Sequence, residues 1–264
     1  MNREIRVTKA HAYGNDFLLV DEREPLSPEV VRRLCARHTG AGADGVVVYG
    51  VNERSATMRL FNADGSPSEL SGNGLRCLAA LIAQRRRLSE KSTVVVDTSA
   101  GTKSLELLAI AGPRYVFRTA LGPPTDVRQV DIPVIGETVT ASVLSVGNPQ
   151  CVVLGALPDD TRFNRLGPAL STHSLFPEGT NVEFAYVERP DRVRILIWER
   201  GVGPTSSSGT GSAAAAVAAA AHGGAAHEVD VIAPGGTQRV EWRADGIYQT
   251  GWAELVLEGT AYLS

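Results

Sequence analysis

Two serines stand where a side chain could take part in proton transfer. Ser71 precedes Gly72-Asn73-Gly74 and Ser208 precedes Gly209-Thr210-Gly211, and each Gly-rich turn runs into a segment rich in alanine and leucine. Alanine favours helix and serine is a good N-cap, so each turn predicts a helix start. The N–H groups and the dipole of a helix start favour an anion. Each serine therefore either flanks a bound anion or only caps its helix.

The simplest anion for such a pair is a substrate carboxylate. If both turns face one cleft, the carboxylate would accept hydrogen bonds from the backbone N–H groups of Gly72, Asn73, Gly209 and Thr210. Ser71 and Ser208 would then flank the carbon next to the carboxylate. One side chain could remove a proton from one face of this carbon while the other delivers a proton to the opposite face.

Both serine motifs belong to an internal repeat. They are 137 residues apart. Three further landmarks recur at nearly this shift: Gly14-Asn15 with Gly147-Asn148, Asp44 with Asn181, and Gly101-Thr102 with Gly236-Thr237. Asn62 and Glu199 each stand nine residues before their serine. Matches in the same order indicate a duplication; the alternative is a set of unrelated strand–turn–helix units that share turn chemistry.

Each half of the chain combines short strands with few helices. Apolar runs such as MRLF and RILIW precede the serine turns, and the pattern over residues 28–37 predicts a further helix. The sequence predicts an α+β chain of two pseudosymmetric domains, each a mixed, mostly antiparallel sheet wrapped around a central helix. We expect a first domain over residues 1–120, joined by a C-terminal strand at 252–264, and a second over 121–251.

Composition excludes several classes of function. A formal net charge of −3 gives no electrostatic reason to bind nucleic acid or an anionic membrane. The alanine run is shorter than the roughly 20 apolar residues of a membrane span, and the first residues lack a signal-peptide core. The three cysteines are far apart, which fits a reducing cytosol. The histidines lack metal-ligand spacing, and neither a P-loop nor a dinucleotide fingerprint occurs. We expect a cytoplasmic protein without metal or cofactor.

The motifs around both serines resemble those of the diaminopimelate epimerases, cofactor-independent racemases of lysine and cell-wall biosynthesis. The resemblance rests on HAYGNDF, GADG, MRLFNADGSPSELSGNGLRC, TSAGTKSLEL, SVGNPQCVV, FPEGTNVEF and WERGVGPTSSSGTG, which follow one another over nearly the whole chain. It implies the two-domain pseudosymmetric fold, a homodimer, and a two-base proton transfer at the α-carbon that interconverts LL- and meso-diaminopimelate.

The resemblance also implies which side chains bind the substrate. The distal amino-acid end would be held by Asn62, Asn148, Asn181, Glu199 and Arg200, with Asn15 also at the site. The backbone N–H groups after Ser71 and Ser208 would hold the carboxylate at the reacting carbon. These residue types suit the substrate, because an arginine binds a carboxylate, a glutamate binds an ammonium group, and amides supply further donors and acceptors.

The chain departs from the family at the groups that would transfer the proton. The family has cysteines, one thiolate and one thiol, at the positions of Ser71 and Ser208. At the position of Gln150 the family has a histidine, which tunes a catalytic cysteine. At the position of Pro204 it has an acidic residue. A thiol has a pKa of about 8.5 that a helix start can lower, whereas a hydroxyl needs an adjacent base. We therefore expect an impaired reaction, and we expect Cys77, inside the helix, to be a packed thiol.

Three explanations fit these departures. An engineered double serine variant would keep the substrate while blocking turnover, but it does not account for Gln150 or Pro204. A natural member could have kept the pocket and become an isomerase or dehydratase of another small amino acid. The protein could also be a non-catalytic amino-acid-binding homologue. The correlated changes favour a natural variant, and Glu199 is the nearest candidate base if the serine form turns over.

Overall fold

The computed structural model describes residues 3–68 and 71–263, which form four helices and 17 strands. The helices are α1 (Pro28–Cys35), α2 (Gly72–Arg86), α3 (Asp160–Ser171) and α4 (Gly209–His222). The strands up to the middle of the chain are β1 (Arg3–Ala12), β2 (Asn15–Asp21), β3 (Gly45–Val51), β4 (Ala56–Asn62), β5 (Pro67–Ser68), β6 (Thr93–Thr98), β7 (Gly101–Ala111) and β8 (Arg114–Gly122). The later strands are β9 (Thr125–Val134), β10 (Glu137–Ser145), β11 (Pro149–Leu154), β12 (Asn181–Arg189), β13 (Arg192–Glu199), β14 (Gly203–Thr205), β15 (Glu228–Ala233), β16 (Gly236–Arg243) and β17 (Gly246–Leu263).

The chain forms two compact units. Unit 1 consists of Met1–Thr119 together with Gly251–Ser264, and unit 2 consists of Ala120–Thr250. Strand β17 contributes its first residues to unit 2 and its remaining residues to unit 1.

In unit 1 a mixed sheet surrounds helix α2. The parallel pairs are β2 with β3 and β4 with β6; the antiparallel pairs include β1 with β2, β3 with β4, β6 with β7 and β7 with β8. Strand β17 pairs with both β1 and β8, which closes the ring of strands. Helix α2 is buried from Asn73 to Ala83. Helix α1 packs its buried residues Val31, Leu34 and Cys35 in a separate apolar cluster.

Unit 2 repeats this pattern of pairing around helix α4. Strand β11 runs parallel to β12 and β13 runs parallel to β15, while β10 with β11, β12 with β13, and β15 with β16 are antiparallel. Helix α3 lies with its own apolar cluster, as α1 does. The predicted α+β fold with a central helix in each half is confirmed. The parallel registers pair Phe17 with Gly45 and Gln150 with Asn181, so Asn181 corresponds to Gly45 and not, as the spacing suggested, to Asp44.

Side-chain size explains why α4 is almost entirely alanine. The helix is buried from Gly209 to Ala219, apart from a half-buried Thr210, so it has no solvent-facing stripe. Small side chains let the surrounding strands approach its backbone closely, and alanine has the best helix propensity. The helix ends at His222, and the N–H of the capping residue Gly223 donates to the carbonyl of Ala219. Helix α1 ends two residues before the predicted end because Ala36 leaves helical geometry, with ψ of 119°.

The helices were compared with the requirements of a membrane span. Over the ranges that the structure describes, none of the helices combines the length and apolar character that a bilayer span needs.

Candidate functional site

Both serines cap the helices that follow them. Ser71 Oγ accepts a hydrogen bond from the N–H of Gly74, and Ser208 Oγ accepts one from the N–H of Gly211, each at 3.1 Å. Both residues have extended backbone, as N-caps do. A capping oxygen still carries a proton that it can donate. The geometry therefore fits a helix cap and a hydrogen-bond donor to a bound anion equally well.

In unit 1, a chain of side-chain amides leads to the start of α2. Asn73 donates to Asn15 Oδ1 at 3.1 Å, and Asn15 donates to Asp44 Oδ2 at 2.9 Å. Asn62, whose backbone pairs with Gly45 next to Asp44, donates its side-chain amide to Ser66 Oγ at 3.0 Å across the turn after β4. The structure thus joins Asn15 to Asn73 directly, and holds Asn62 at the end of its strand.

Charged groups fix the outer end of this amide chain. Arg37 donates to both carboxyl oxygens of Asp16 at 2.8 Å and also to Asp44, and Lys9 lies 3.0 Å from Asp16. Burial raises the pKa of Asp16, but the hydrogen bonds from Arg37 and Lys9 outweigh burial and lower this pKa below its ordinary value. Asp16 is therefore a carboxylate at neutral pH. Arg37 bridges Asp16 and Asp44, and this bridge holds Asp44 in place against Asn15.

In unit 2, the predicted residues form a second polar cluster. Asn148 lies 3.5 Å from Thr210 Oγ1 and its amide meets that of Gln150 at 2.6 Å. Asn181 accepts from the backbone N–H of Arg200 at 3.0 Å and donates to the carbonyl of Pro149 at 3.3 Å. The guanidinium of Arg200 donates to the carbonyl of Glu178 at 3.1 Å. These bonds bring Asn148, Gln150, Asn181 and Arg200 together beside the start of α4.

Gln150 connects this cluster to a carboxyl group that sequence reasoning missed. In one orientation of its amide, the nitrogen of Gln150 donates to the two oxygens of Glu183 at 3.1 and 3.3 Å and its oxygen accepts from Asn181 Nδ2 at 3.3 Å. In the other orientation, its nitrogen donates to Asn148 Oδ1 at 2.6 Å. Gln150 and Glu183 are both fully buried. The signal was an acidic residue between apolar residues in the strand NVEF, where an unpaired charge would be costly.

Glu183 lies against the first turn of α4. A side chain built at Gly211 would start 2.6 Å from Glu183 Oε1 and 3.1 Å from Ser208 Cβ, so only glycine leaves room there. Burial, and then repulsion from Glu199, raise the pKa of Glu183 well above its ordinary value. The carboxyl group behind Ser208 is therefore disposed to stay protonated.

The remaining sequence predictions concern a buried thiol, the proline at position 204 and metal binding. Cys77 is buried in the core of unit 1, and burial raises the pKa of its thiol, which confirms the packed thiol. Pro204 is exposed and pairs with Trp198 at the edge formed by β14. Among the residues that the structure describes, no group of histidine, cysteine and acidic side chains has the arrangement of a metal site.

Comparison with known proteins places this chain among similar sequences over almost its entire length. A family model described as diaminopimelate epimerase matches residues 7–125 and 142–256. The diaminopimelate epimerase of Desulforudis audaxviator is 41% identical over 273 residues, covering 96% of this chain and 97% of the relative. The chloroplastic enzyme of the same name from Oryza sativa subsp. japonica is 37% identical and covers 98% of this chain and 80% of the relative.

Solved structures share the fold at much lower sequence identity. A hydroxyproline epimerase from Agrobacterium vitis superposes with a TM-score of 0.73 at 14% identity, covering 99% of this chain and 92% of that one. A phenazine biosynthesis protein from Bacillus anthracis superposes with a TM-score of 0.70 at 16% identity, covering 98% and 99%. At these identities the likeness concerns the fold alone.

Proposed function

Because this chain belongs to the diaminopimelate epimerase family, whose members interconvert LL- and meso-diaminopimelate, we propose that it binds diaminopimelate and acts at its α-carbon with strongly reduced activity. In the family, the side chains at the positions of Ser71 and Ser208 act together in one reaction, and we propose the same pairing for this chain. In that reaction one group takes the α-proton, which leaves the electron pair on the carbon, and the other group gives its own proton to the opposite face.

Retention of the binding side chains supports the choice of substrate. Asn181 is held by the backbone of Arg200 and by the Gln150 amide, so the arginine that follows β13 and the amides of β11 and β12 are organised together. In the proposal, Arg200 binds the distal carboxylate, Glu199 binds the distal ammonium, and Asn15, Asn62, Asn148 and Asn181 supply the remaining donors and acceptors. The N–H groups of Gly72, Asn73, Gly209 and Thr210 bind the carboxylate at the reacting carbon.

The replaced thiols support the reduced activity. Ser71 and Ser208 each accept a backbone hydrogen bond as caps, which is a role that serine fills without losing its proton. A hydroxyl becomes a base only beside another base, whereas a thiol ionises near neutral pH. Glu199 is the candidate carboxylate for any remaining proton abstraction.

Calorimetric titration with LL- and meso-diaminopimelate tests the binding. We expect binding, and the substrate assignment would be contradicted if neither stereoisomer binds at millimolar concentration. An isomerase or dehydratase of another small amino acid would then be the better proposal.

Exchange of the α-proton with solvent deuterium tests the chemistry, because one working base is enough for exchange. We expect undetectable or slow exchange in the serine form and partial recovery in the Ser71→Cys/Ser208→Cys variant. Fast exchange in the serine form would show another base at work, and Glu199→Gln would then identify it. A double cysteine form that binds diaminopimelate but stays inert would favour a non-catalytic binding protein.

Assembly and location form a separate proposal, supported by the family resemblance and by three buried, unpaired cysteines that suit a reducing compartment. We propose a cytoplasmic homodimer. Light scattering at micromolar protein should give twice the mass of the chain, and a monomer would contradict the dimer.

A further inference from the structure

Two buried polar side chains face helix α4 from neighbouring strands. Gln150 of β11 and Glu183 of β12 are both fully buried, and Gln150 pairs with Asn181 in the parallel register of these strands. Side chains two residues apart on a strand share a face, so Glu183 lies on the same side of the sheet as Asn181 and next to Gln150. One end of the Gln150 amide lies 3.1 and 3.3 Å from the two carboxyl oxygens of Glu183.

The fold itself does not require this polar pair. The equivalent parallel strands of unit 1 hold Phe17 at the position of Gln150 and Val47 at the position of Glu183. The same place in the other unit is thus filled by hydrocarbon, which avoids the cost of burying polar groups. The buried amide and carboxyl group of unit 2 therefore need a reason other than packing.

A chain of side chains connects this pair to the start of α4. The other end of the Gln150 amide lies 2.6 Å from Asn148 Oδ1. Asn148 Nδ2 in turn lies 3.5 Å from Thr210 Oγ1. Thr210 is the second residue of α4, where the free N–H groups of a helix start favour an anion. We refer to Glu183, Gln150, Asn148 and Thr210 as the relay.

The amides of the relay can point in two directions, and the proton of Glu183 decides between them. When Glu183 is protonated, its O–H donates to Gln150 Oε1, and Gln150 Nε2 donates to Asn148 Oδ1. Asn148 Nδ2 then donates to Thr210 Oγ1. The proton of the threonine hydroxyl is therefore left to donate to a bound anion.

When Glu183 is ionised, the bonds of the relay reverse. Gln150 Nε2 donates to the carboxylate, and Gln150 Oε1 lies 2.6 Å from the end of the Asn148 amide. Asn148 must then turn to present its nitrogen there, which brings its oxygen toward Thr210. The threonine hydroxyl donates to this oxygen and offers only lone pairs to an anion, which a carboxylate does not favour.

Each arrangement carries a cost, so a bound ligand can shift the balance between them. In the protonated form, Gln150 Nε2 and Asn181 Nδ2 are 3.3 Å apart, and two donors face each other. In the ionised form this contact becomes a hydrogen bond, but a charge is then held away from water.

The ionisable groups around Glu183 favour its protonated form. Burial, and then the charge of Glu199 on β13, raise the pKa of Glu183. The thiol of Cys151 on β11 is buried, which raises its own pKa and leaves it neutral. Helix α4 carries no ionisable side chain before His222 at its last residue. Arg200, which follows β13, opposes this trend, but its guanidinium donates to a backbone carbonyl before β12.

We propose that the relay links the proton of Glu183 to carboxylate binding at the start of α4, because the Thr210 hydroxyl donates to the anion only when Glu183 is protonated. That this carboxylate belongs to diaminopimelate rests on the proposed function, whereas the relay itself does not. Linkage is reciprocal, so a bound carboxylate favours protonation of Glu183. Carboxylate affinity should therefore fall as the pH rises through the pKa of this group.

Side-chain amide signals test the relay without substrate. In ¹⁵N-labelled protein, the signals of Gln150 and Asn148 are assigned by their loss in Gln150→Met and Asn148→Leu. We expect both signals to shift with one shared midpoint between about pH 5 and about pH 9.5. The shift should vanish in Glu183→Gln, whose amide donates to Gln150 at every pH. An Asn148 signal that does not shift in this range, or that still shifts in Glu183→Gln, would overturn the proposal.

Calorimetric titration with LL-diaminopimelate tests the effect on binding. We expect the affinity to fall by about tenfold as the pH rises through the shared midpoint, because a hydrogen bond to a charged group is lost. Titrations in buffers of different ionisation enthalpy should show proton uptake on binding. Glu183→Gln should bind without this uptake, with an affinity close to that of the parent protein at low pH.

A matched pair at Thr210 separates the relay from direct repulsion by Glu183. Thr210→Val keeps the size of the side chain and the backbone N–H, but it lacks the hydroxyl; it should bind more weakly at low pH and lose the pH dependence. Thr210→Ser keeps the hydroxyl and should behave as the parent. A pH dependence that persists in Thr210→Val would overturn the relay, and this comparison decides even if Glu183→Gln does not fold. Absence of diaminopimelate binding in every form would refute the proposed function but leave the amide titration unaffected.

Discussion

Replacing Gly211 by alanine should destabilise unit 2, while the equivalent replacement of Gly74 should not destabilise unit 1. The new methyl group of Gly211→Ala would lie 2.6 Å from Glu183 Oε1, and the buried carboxyl cannot move without losing its contact with Gln150. Overpacking of this kind costs about 1–3 kcal/mol. In Gly74→Ala the nearest atom, at 3.3 Å, is the terminal methyl of the flexible Met58.

The helix propensity term is the same in both variants and therefore cancels from their comparison. Both glycines occupy the third position of their helices, where alanine is favoured over glycine by up to about 1 kcal/mol. Gly74→Ala should thus be neutral or stabilising, and Gly211→Ala should be less stable than Gly74→Ala by about 2 kcal/mol. Such a difference corresponds to about 4–8 °C in melting temperature for a protein of this size.

Urea denaturation followed by circular dichroism and tryptophan fluorescence measures both variants. Trp198 and Trp242 report on unit 2 and Trp252 reports on unit 1, so separate transitions can be assigned. In a Glu183→Ala background, where the carboxyl is gone, Gly211→Ala should cost less than about 0.5 kcal/mol. Equal stability of Gly74→Ala and Gly211→Ala, or an unchanged cost without the carboxyl, would refute the close packing of Glu183 on α4.

Two further predictions concern the helix-capping serines and the carboxylate of Asp16. Ser71→Ala and Ser208→Ala should each lower the free energy of unfolding by about 1 kcal/mol through loss of the cap. The threonine variants at the same positions should retain most of the capping energy. Unchanged urea midpoints for the alanine variants would contradict the capping bonds. The lowered pKa of Asp16 contributes stability that is complete above the ordinary carboxyl pKa of about 3.9 and is lost as pH falls through the lowered value. The Asp16→Asn variant should therefore be less stable at pH 7 by about 2 kcal/mol, and its free energy of unfolding should fall less steeply between about pH 4 and pH 2. A fall as steep as that of the parent protein would contradict this role of Asp16.

Local chemistry made much of this fold predictable from the sequence. The Ser-Gly-x-Gly turns before alanine and leucine runs carry the start signals of α2 and α4, and both helices begin at the glycine after the serine. The recurrence of these turns indicated the repeat, because each half of the chain starts its central helix in the same way and surrounds it with a similar sheet. The end of α1 was less predictable, because the chain turns back on the helix end there: the N–H groups of Gly40 and Gly42 donate to the carbonyls of Ala36 and Leu34, and the helical pattern does not show this turn.

The site was predictable where residue type alone signals the chemistry. The amides and Arg200 were identified through the family motifs, and their role in binding substrate stays a prediction. Glu183 was missed because its importance arises from burial against Gly211, a contact between residues 28 positions apart that no local pattern encodes. The alignment of Asn181 with Asp44 was wrong by one residue because the repeats contain short insertions, and only strand pairing fixes the register.

The path of β17 has a consequence for how the protein folds during synthesis. Ala253 and Leu255 belong to the core around α2, and the last residues of β17 pair with the first residues of β1, from Arg3 with Leu263 onward. Ribosomes add about 5–20 residues per second, and domains usually fold in the order in which they emerge. Here that order is reversed: unit 2 is contiguous and its residues emerge first, whereas the N-terminal unit lacks its closing strand until residues 251–263 have emerged. A released chain truncated after residue 250 should accordingly protect unit 2 from protease while β1 remains open to cleavage.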